Sequence, residues 1–493
     1  MNTEIGSATP RVERIVVCGG GLAGHLTAAA LASQLPPTMQ MTWIDASNSA
    51  NSDVFYGSLT APTAYTVNLS AGVSEPELLL STNTAFSWGT KYVGWSAERR
   101  SWIQCFHLPL PIAGGVLFHQ YLARLGLGEL EPYLISAAAA HRGVFAHPLQ
   151  DGPPLLARAE YAYQFDPHSY VRAFAAGASM SRVRRVQAEL RDVERNEHGI
   201  AALHLSDGRV LTADLYVDCT GAQALLISQL DAAFKGGRRL RAVSSHRPVD
   251  RLGAACRTVT GHGFGWQSDT PLQRSTMRLT VFAPESETEA LSAHGDVPQQ
   301  SVDTTLGYRT EAWVGNCVAI GHAAHVLEPI THVPMVLLHR DIERLLSLIP
   351  FSTSMTVESR EFNRQCGDDY LHAAIFNRAL FDTRPASDTP YWGAACEEPV
   401  HEKLNQKLAQ FESRGVLATF DLEPLNPEDW VVLHYGMQRR PMRHDRVADR
   451  ASESELRHSL ENMRRNIENL VKQMPSHHDY MTGLLGYLAQ QKS

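Results

Sequence analysis

The apolar run Ile15-Val16-Val17-Cys18 passes without a break into Gly19-Gly20-Gly21-Leu22-Ala23-Gly24. Few sequence features restrict a fold more, because a buried strand, a tight glycine turn and a helix must follow one another within ten residues. That order suits the pyrophosphate of a dinucleotide. Gly19 permits the turn, Gly21 lets backbone amides approach the phosphates, and Gly24 lets the helix lie close on the strand. Leu22 and Ala23 open the helix, whose Ala-rich stretch runs from Leu26 to Leu35 and stops at Pro36-Pro37. A second apolar run, Met41-Thr42-Trp43-Ile44, ends in Asp45, at the distance where an acid accepts a ribose hydroxyl.

The chain has 493 residues, 44% hydrophobic and 19% charged, a globular composition long enough for two or three lobes. A net charge of −8 argues against a nucleic-acid partner, since phosphate binding is carried by clustered Lys and Arg. The basic stretch Arg439-Arg440-Pro441-Met442-Arg443-His444 reads as a solvated loop. The seven cysteines form no CxxC pair, so neither a zinc ribbon nor a disulfide framework is expected. The first fourteen residues are polar, and no apolar stretch approaches the roughly 18 residues of a membrane span. A cytoplasmic location with no membrane association is expected.

Along the chain, Ser47 to Asp53 reads as a loop and Asp151-Gly152-Pro153-Pro154 as a boundary. Strand patterns follow at Val193-Glu194-Arg195, Ile200 to Leu205 and Val210 to Val217, with Asp207-Gly208 as a hairpin turn. The last of these ends in Asp218-Cys219-Thr220-Gly221. Residues 230 to 305 suggest a separate sheet or lid. Trp313 to Gly321 reads as one more buried strand ending in glycine, and Pro334 introduces a helix over Met335 to Leu348. Near the C-terminus, Ser452 and Glu455 form a capping box, and Leu456, Leu460, Met463, Ile467, Leu470, Val471 and Met474 repeat at helical spacing.

Three glycine-ended strands in this order suggest an α/β, FAD-binding fold of the glutathione-reductase or aromatic-hydroxylase type with a largely helical C-terminal substrate region. Several stretches narrow the likeness: the glycine turn, Thr82-Asn83-Thr84-Ala85-Phe86, Tyr163-Gln164-Phe165-Asp166, Asp218-Cys219-Thr220-Gly221, and Trp313 to Gly321 through Leu327-Glu328-Pro329. With Glu361-Phe362-Asn363-Arg364, Asp388-Thr389-Pro390-Tyr391-Trp392 and Met474-Pro475-Ser476-His477, the chain resembles the flavin-dependent tryptophan halogenases nearly from end to end. The resemblance implies that Gly19, Gly21, Leu22, Ala23, Gly24, Asp45, Gly221, Gly321 and His322 hold FAD. It implies reduced FAD made by a separate flavin reductase, and an aromatic small molecule or an aromatic residue of a peptide as substrate. It places the FAD-binding domain in residues 1–100, 155–230 and 305–350, and the substrate or cap region in 101–154, 231–304 and 351–493. A homodimer is compatible with it.

The same resemblance exposes departures. The family directs hypohalous acid with a lysine in a Phe-Lys-Leu-Gly-type run, and here that run is Phe86-Ser87-Trp88-Gly89. Ser87 is not a cationic donor, and Lys91 stands four residues on. The family's catalytic glutamate is followed by Ser-Thr-Gly, whereas this chain reads Ile330-Thr331-His332-Val333-Pro334. Thr331 replaces the carboxylate, and Pro334 has no N–H for a halide. The Trp-x-Trp-x-Ile-Pro signature survives only as Trp266-Gln267-Ser268-Asp269-Thr270-Pro271, and the flavin-side loop as Gly57-Ser58-Leu59-Thr60. Transfer of hydroxyl without halide and a catalytically silent flavoprotein are the alternatives to halogenation.

Among other groupings, His322, His325, His332 and His339 match no usual metal-ligand spacing, and no metal is expected. His332 is the candidate general acid or base, on the expectation of a pKa near the working pH. Trp88, Phe106, Phe264, Trp266, Tyr391 and Trp392 are candidates to sandwich a planar substrate, although buried aromatics more often serve the core.

Overall fold

The computed structural model describes residues 11–96, 101–109, 115–382, 389–421 and 423–492. The polar residues 1–10 and Asp388 of the Asp388-to-Trp392 motif lie outside these. Six strands build the sheet that carries the glycine turn: β1 (Arg14–Cys18), β2 (Gln40–Ile44), β3 (Val183–Val186), β4 (Leu215–Asp218), β5 (Trp313–Val314) and β6 (Cys317–Ala319). They lie in the order β5-β6-β4-β1-β2-β3, and every neighbouring pair is parallel except β5 with β6.

Ile15, Val16, Val17 and Cys18 are all buried, as a parallel strand covered on both faces requires. Because β1, β4 and β6 are adjacent and parallel, the turns that follow them gather at one edge. Gly19, Gly221 and Gly321 therefore come together from positions about 100 to 300 residues apart in the chain, at the carboxyl edge where open α/β sheets bind ligands. Helix α1 (Leu22–Gln34) is buried along its first eleven residues, which its small alanines make possible.

Two expected strands divide. Val210 to Val217 splits into Val210–Leu211, paired with Gly199–Leu205, and β4 in the six-stranded sheet. The break is held by Asp214, whose carboxylate accepts the Glu13 and Arg14 amides and pairs with the Arg14 guanidinium. Trp313 to Gly321 is a hairpin, because Gly315 takes a positive φ of 56° and Asn316 anchors the turn on Ile200. The Asp207-Gly208 turn forms as expected, whereas Ser47–Tyr56 coils into 3₁₀ turns.

Residues 230 to 305 do supply most of a second sheet, eight-stranded, with Ser275–Phe282 and Gly265–Pro271 at its centre. Thr90–Val93 and Ser101–Gln104 join one side and His325–Val326 the other, so the loop after β6 is stitched to this sheet. Helices α2 (Val333–Ser347) and α3 (Thr356–Ala379) begin the helical C-terminal part. The Ser452–Glu455 capping box is present, and Leu456, Leu460, Ile467 and Val471 are buried beneath the helix it starts.

Candidate functional site

The glycine turn is tighter than its three glycines alone suggest. Gly19 has φ +139°, and a Cβ there would stand 2.1 Å from the Cys219 carbonyl oxygen. A Cβ on Gly24 would stand 1.9 Å from the Gly19 carbonyl oxygen, and one on Gly20 would stand 2.4 Å from Asp45 Oδ1. Gly19, Gly20 and Gly24 are thus fixed by backbone or by Asp45. Gly21 caps α1, leaving the positive end of the helix dipole facing the turn.

The 3₁₀ segment after β2 meets that helix end. The Leu22 amide donates to Asp53 Oδ2 at 2.7 Å. Asp53 is buried, and burial pushes its carboxyl up to about 8 despite that hydrogen bond. Three residues on, Tyr56 accepts the His322 amide on its hydroxyl at 3.0 Å and stacks on the His322 ring. Both ring nitrogens of His322 are buried without a partner, and burial, then His325, lowers its pKa to about 3. Gly321 has φ +62° and donates its amide to Asp341. The close-packed glycines, the helix end and the orphaned imidazole nitrogens fit a dinucleotide laid across β1, β4 and β6.

Asp45 has a different setting from the one expected. Its Oδ2 accepts Arg185 Nε at 3.0 Å and a second guanidinium nitrogen, and Arg185 also lies over Trp43. A ribose contact at Asp45 would therefore meet an ion pair, not a free carboxylate. Gly221 has φ +74°, and Asp218 just before it is tied up by four donors from Thr220, Leu226 and Ile227.

Ser87 is fully buried and closed on itself: its hydroxyl donates to the Gly89 carbonyl at 3.1 Å and lies 3.2 Å from the Gly89 amide. It ends the short strand Ala85–Ser87, which pairs with Ala162–Gln164. Lys91 belongs to the eight-stranded sheet and is separated from Ser87 by the sharp bend at Gly89. Thr331 is buried as well, donating to Asn377 Oδ1 at 2.8 Å, while Asn377 Nδ2 donates to the Glu328 carbonyl. Pro334 occupies the first turn of α2.

His332 caps α2 and meets Phe106 edge-on, ring centroids 5.3 Å apart. Burial, then the charge of Arg257, lowers its pKa to about 4, which corrects the expectation of a group poised near neutrality. His339 is likewise buried and pushed down to about 4. His325 pairs with Asp341 at 2.8 Å. Asp341 and the Cys366 thiol complete a potential ligand trio, but Arg344 sits 3.2 Å from Asp341 and supplies the positive charge that a metal would bring.

The aromatic candidates do not form one box. Trp88 packs on Phe145, Phe264 on His262, and Trp392 on Trp95. Trp266 and Tyr391 do converge, both donating to Oε1 of the buried Glu328, whose Oε2 accepts Arg238. Sequence reasoning passed over Glu328 as a hub and missed Arg257 entirely. Arg257 is fully buried, donates to the Pro329 carbonyl at 2.8 Å and lies over Trp266, with Nε unpartnered and, among the described residues, no carboxylate bonded to it. Burial lowers its pKa to about 10. A lone arginine inside the strand pattern Cys256-Arg257-Thr258-Val259 was the available signal.

Comparison with known proteins agrees with this geometry. The sequence pattern of the tryptophan halogenases matches residues 14–453. The chain is 26% identical over 442 residues to tryptophan 6-halogenase ThaL of Streptomyces albogriseolus, covering 82% of each protein. It is 24% identical to tryptophan 7-halogenase RebH of Lentzea aerocolonigenes, again over 82% of each. Among solved structures, BrvH, a flavin-dependent halogenase from Brevundimonas sp. BAL3, superposes with a TM-score of 0.88 at 28% identity, covering 96% of this chain and 100% of that one. Xcc4156 from Xanthomonas campestris superposes with a TM-score of 0.87 at 26% identity, covering 96% and 98%. The cofactor is accordingly reduced FAD from a separate flavin reductase, and the chain belongs to the tryptophan halogenase family.

Proposed function

We propose that this chain uses reduced FAD and oxygen to oxidise an electron-rich aromatic ring by a route that does not employ a lysine and a glutamate at positions 87 and 331. One observation carries the reading: the glycine cradle is intact while Ser87 and Thr331 are buried and hydrogen-bonded to partners of their own. Bound reduced FAD supplies two electrons to dioxygen, one oxygen atom leaving as water. Gly19, Gly21, Leu22, Ala23 and Gly24 would hold the pyrophosphate, and Gly221, Gly321 and His322 the remainder of the cofactor. Asp45 would reach the ribose through Oδ1, the oxygen that faces Gly20, with Arg185 held on Oδ2.

Direct transfer of the second oxygen atom to the ring, giving a phenol, needs neither an ammonium nor a halide. Removing one preorganised donor from an active site typically costs about 100 to 1,000-fold in rate, and here an ammonium, a carboxylate and an amide are all replaced. With a pKa near 4, His332 would be neutral at working pH and would orient a ring beside Phe106 without exchanging protons. Halogen transfer is the second reading. It is favoured by the family and by Arg257, a buried cation bonded to the Pro329 carbonyl and so beside the Ile330–Pro334 loop.

The test is an assay with reduced FAD, an added flavin reductase, oxygen and a panel of indoles, phenols and tryptophan-containing peptides, run in halide-free buffer and with bromide. Oxygenated products in both buffers support the first reading. Products that form only with bromide and carry it support the second.

A further inference from the structure

Behind Glu328, on the face of the second sheet where Phe234–Pro248 and Gln300–Arg309 meet helix α3, lies a cavity of about 390 Å³. Its volume falls within the roughly 300 to 1,000 Å³ of small-molecule pockets. We propose that it binds a small anionic aromatic molecule, independently of the flavin chemistry.

The charge of the lining sets the sign of the ligand. Arg238 is committed to two carboxylates, Nη2 to Glu328 at 2.8 Å and Nε to Glu398 at 2.6 Å. Lys235 and Arg378 are the other cations of the wall, and the described residues place no carboxylate within ion-pair distance of Lys235. Arg378 spends Nη2 on the Cys396 carbonyl and Nε on the Glu398 carbonyl, while its Nη1 is buried with no partner. Three cations thus face two carboxylates already shared by one of them. The wall thus carries one positive charge in excess, and the exposed Lys235 is the cation that a ligand carboxylate can meet.

The body of the ligand follows from the aromatic residues of the lining. Tyr308 and Tyr370 stack there with centroids 4.6 Å apart, and Phe381 lines the same space. Lys235 Nζ lies 5.9 Å from the Tyr308 ring, so an anion meeting it also meets an aromatic face. Asn377, another lining residue, bonds both Thr331 and the Glu328 carbonyl. An occupant therefore touches the framework of the Ile330–Pro334 loop without entering the flavin cleft.

Calorimetric titration of the full chain with 2-naphthoate and with 2-naphthamide, its uncharged counterpart, tests the assignment. We expect saturable one-site binding of 2-naphthoate and at least a ten-fold weaker response to the amide. Lys235→Gln, at an exposed position, should weaken 2-naphthoate about ten-fold, and Arg378→Gln, which removes a charge of the wall, several-fold. Addition of FAD should not displace it. Absence of saturable binding, equal affinity for acid and amide, unchanged affinity in both variants, or one-for-one displacement by FAD each overturns the proposal. None of these outcomes bears on the flavin reading, which is judged by FAD binding and product formation.

Discussion

Tyr56 lies flat against His322, ring centroids 3.6 Å apart and planes 7° from parallel. The contact joins the segment after β2 to the glycine turn after β6, two regions that a bound dinucleotide must bridge. It also explains why residue 321 is glycine: a Cβ there would stand 2.2 Å from the Tyr56 hydroxyl oxygen. Gly321→Ala should therefore lower stability by about 1 to 3 kcal/mol, from the left-handed backbone and the clash together. Tyr56→Phe in the same chain should recover part of the loss. Thermal melts of the single and double variants check this, and additive losses would show that the two sites do not interact.

The glycine cradle yields a second prediction. Gly24→Ala inserts a methyl 1.9 Å from the Gly19 carbonyl oxygen, so the helix must withdraw from the turn. FAD affinity should fall at least ten-fold while the second sheet keeps its fold. A fluorescence titration with FAD, beside a far-ultraviolet spectrum, reads both quantities.

Asp53 gives a pH dependence whose sign is opposite to that of a salt-bridged acid. Its folded carboxyl titrates at about 8 against an ordinary 3.8, so the folded state binds the extra proton. That contribution is fully present below about pH 4 and is lost progressively as pH rises towards 8. The slope is at most about 1.4 kcal/mol per pH unit from this one group. Asp53→Asn should flatten stability over that interval. It should also remove a fall in FAD affinity between pH 6 and 8.5, since an ionised Asp53 at the α1 N-terminus opposes a pyrophosphate there. Denaturant melts and FAD titrations across the range measure the two effects.

His332 makes the reverse case. Its pKa is held near 4, below the ordinary 6.5, so its stabilising contribution is lost only as pH falls through that window. The pH–rate profile should show no limb near 6.5. His332→Gln should leave the profile's shape unchanged and alter mainly KM, as a residue that orients substrate would. A limb near 6.5 that disappears in the variant would restore the acid–base role.

The β1 turn could be read in the sequence because a parallel strand covered on both faces must be apolar throughout and passes directly into the glycines, although the contacts that demand Gly19 and Gly20 come from Cys219 and Asp45. The β5–β6 hairpin and the break before β4 could not, because each depends on a distant partner: Asn316 on Ile200, and Asp214 on the Glu13 and Arg14 amides. The losses at Ser87 and Thr331 were visible as residue types. Their closure on Gly89 and Asn377, and the unpaired charge of Arg257, are tertiary facts with no local pattern. His332 misled because proximity to a cofactor loop suggests an ordinary imidazole, whereas burial beside a guanidinium makes a neutral one.

The most direct measurement of the central claim is the fate of oxygen. The full chain, with reduced FAD supplied by an added reductase, is given isotopically heavy dioxygen and the best substrate of the panel in buffer containing bromide. The expected outcome is a ring product that carries one heavy oxygen atom and no bromine, formed equally well by wild type and by Lys91→Met. A brominated ring product without heavy oxygen would contradict it.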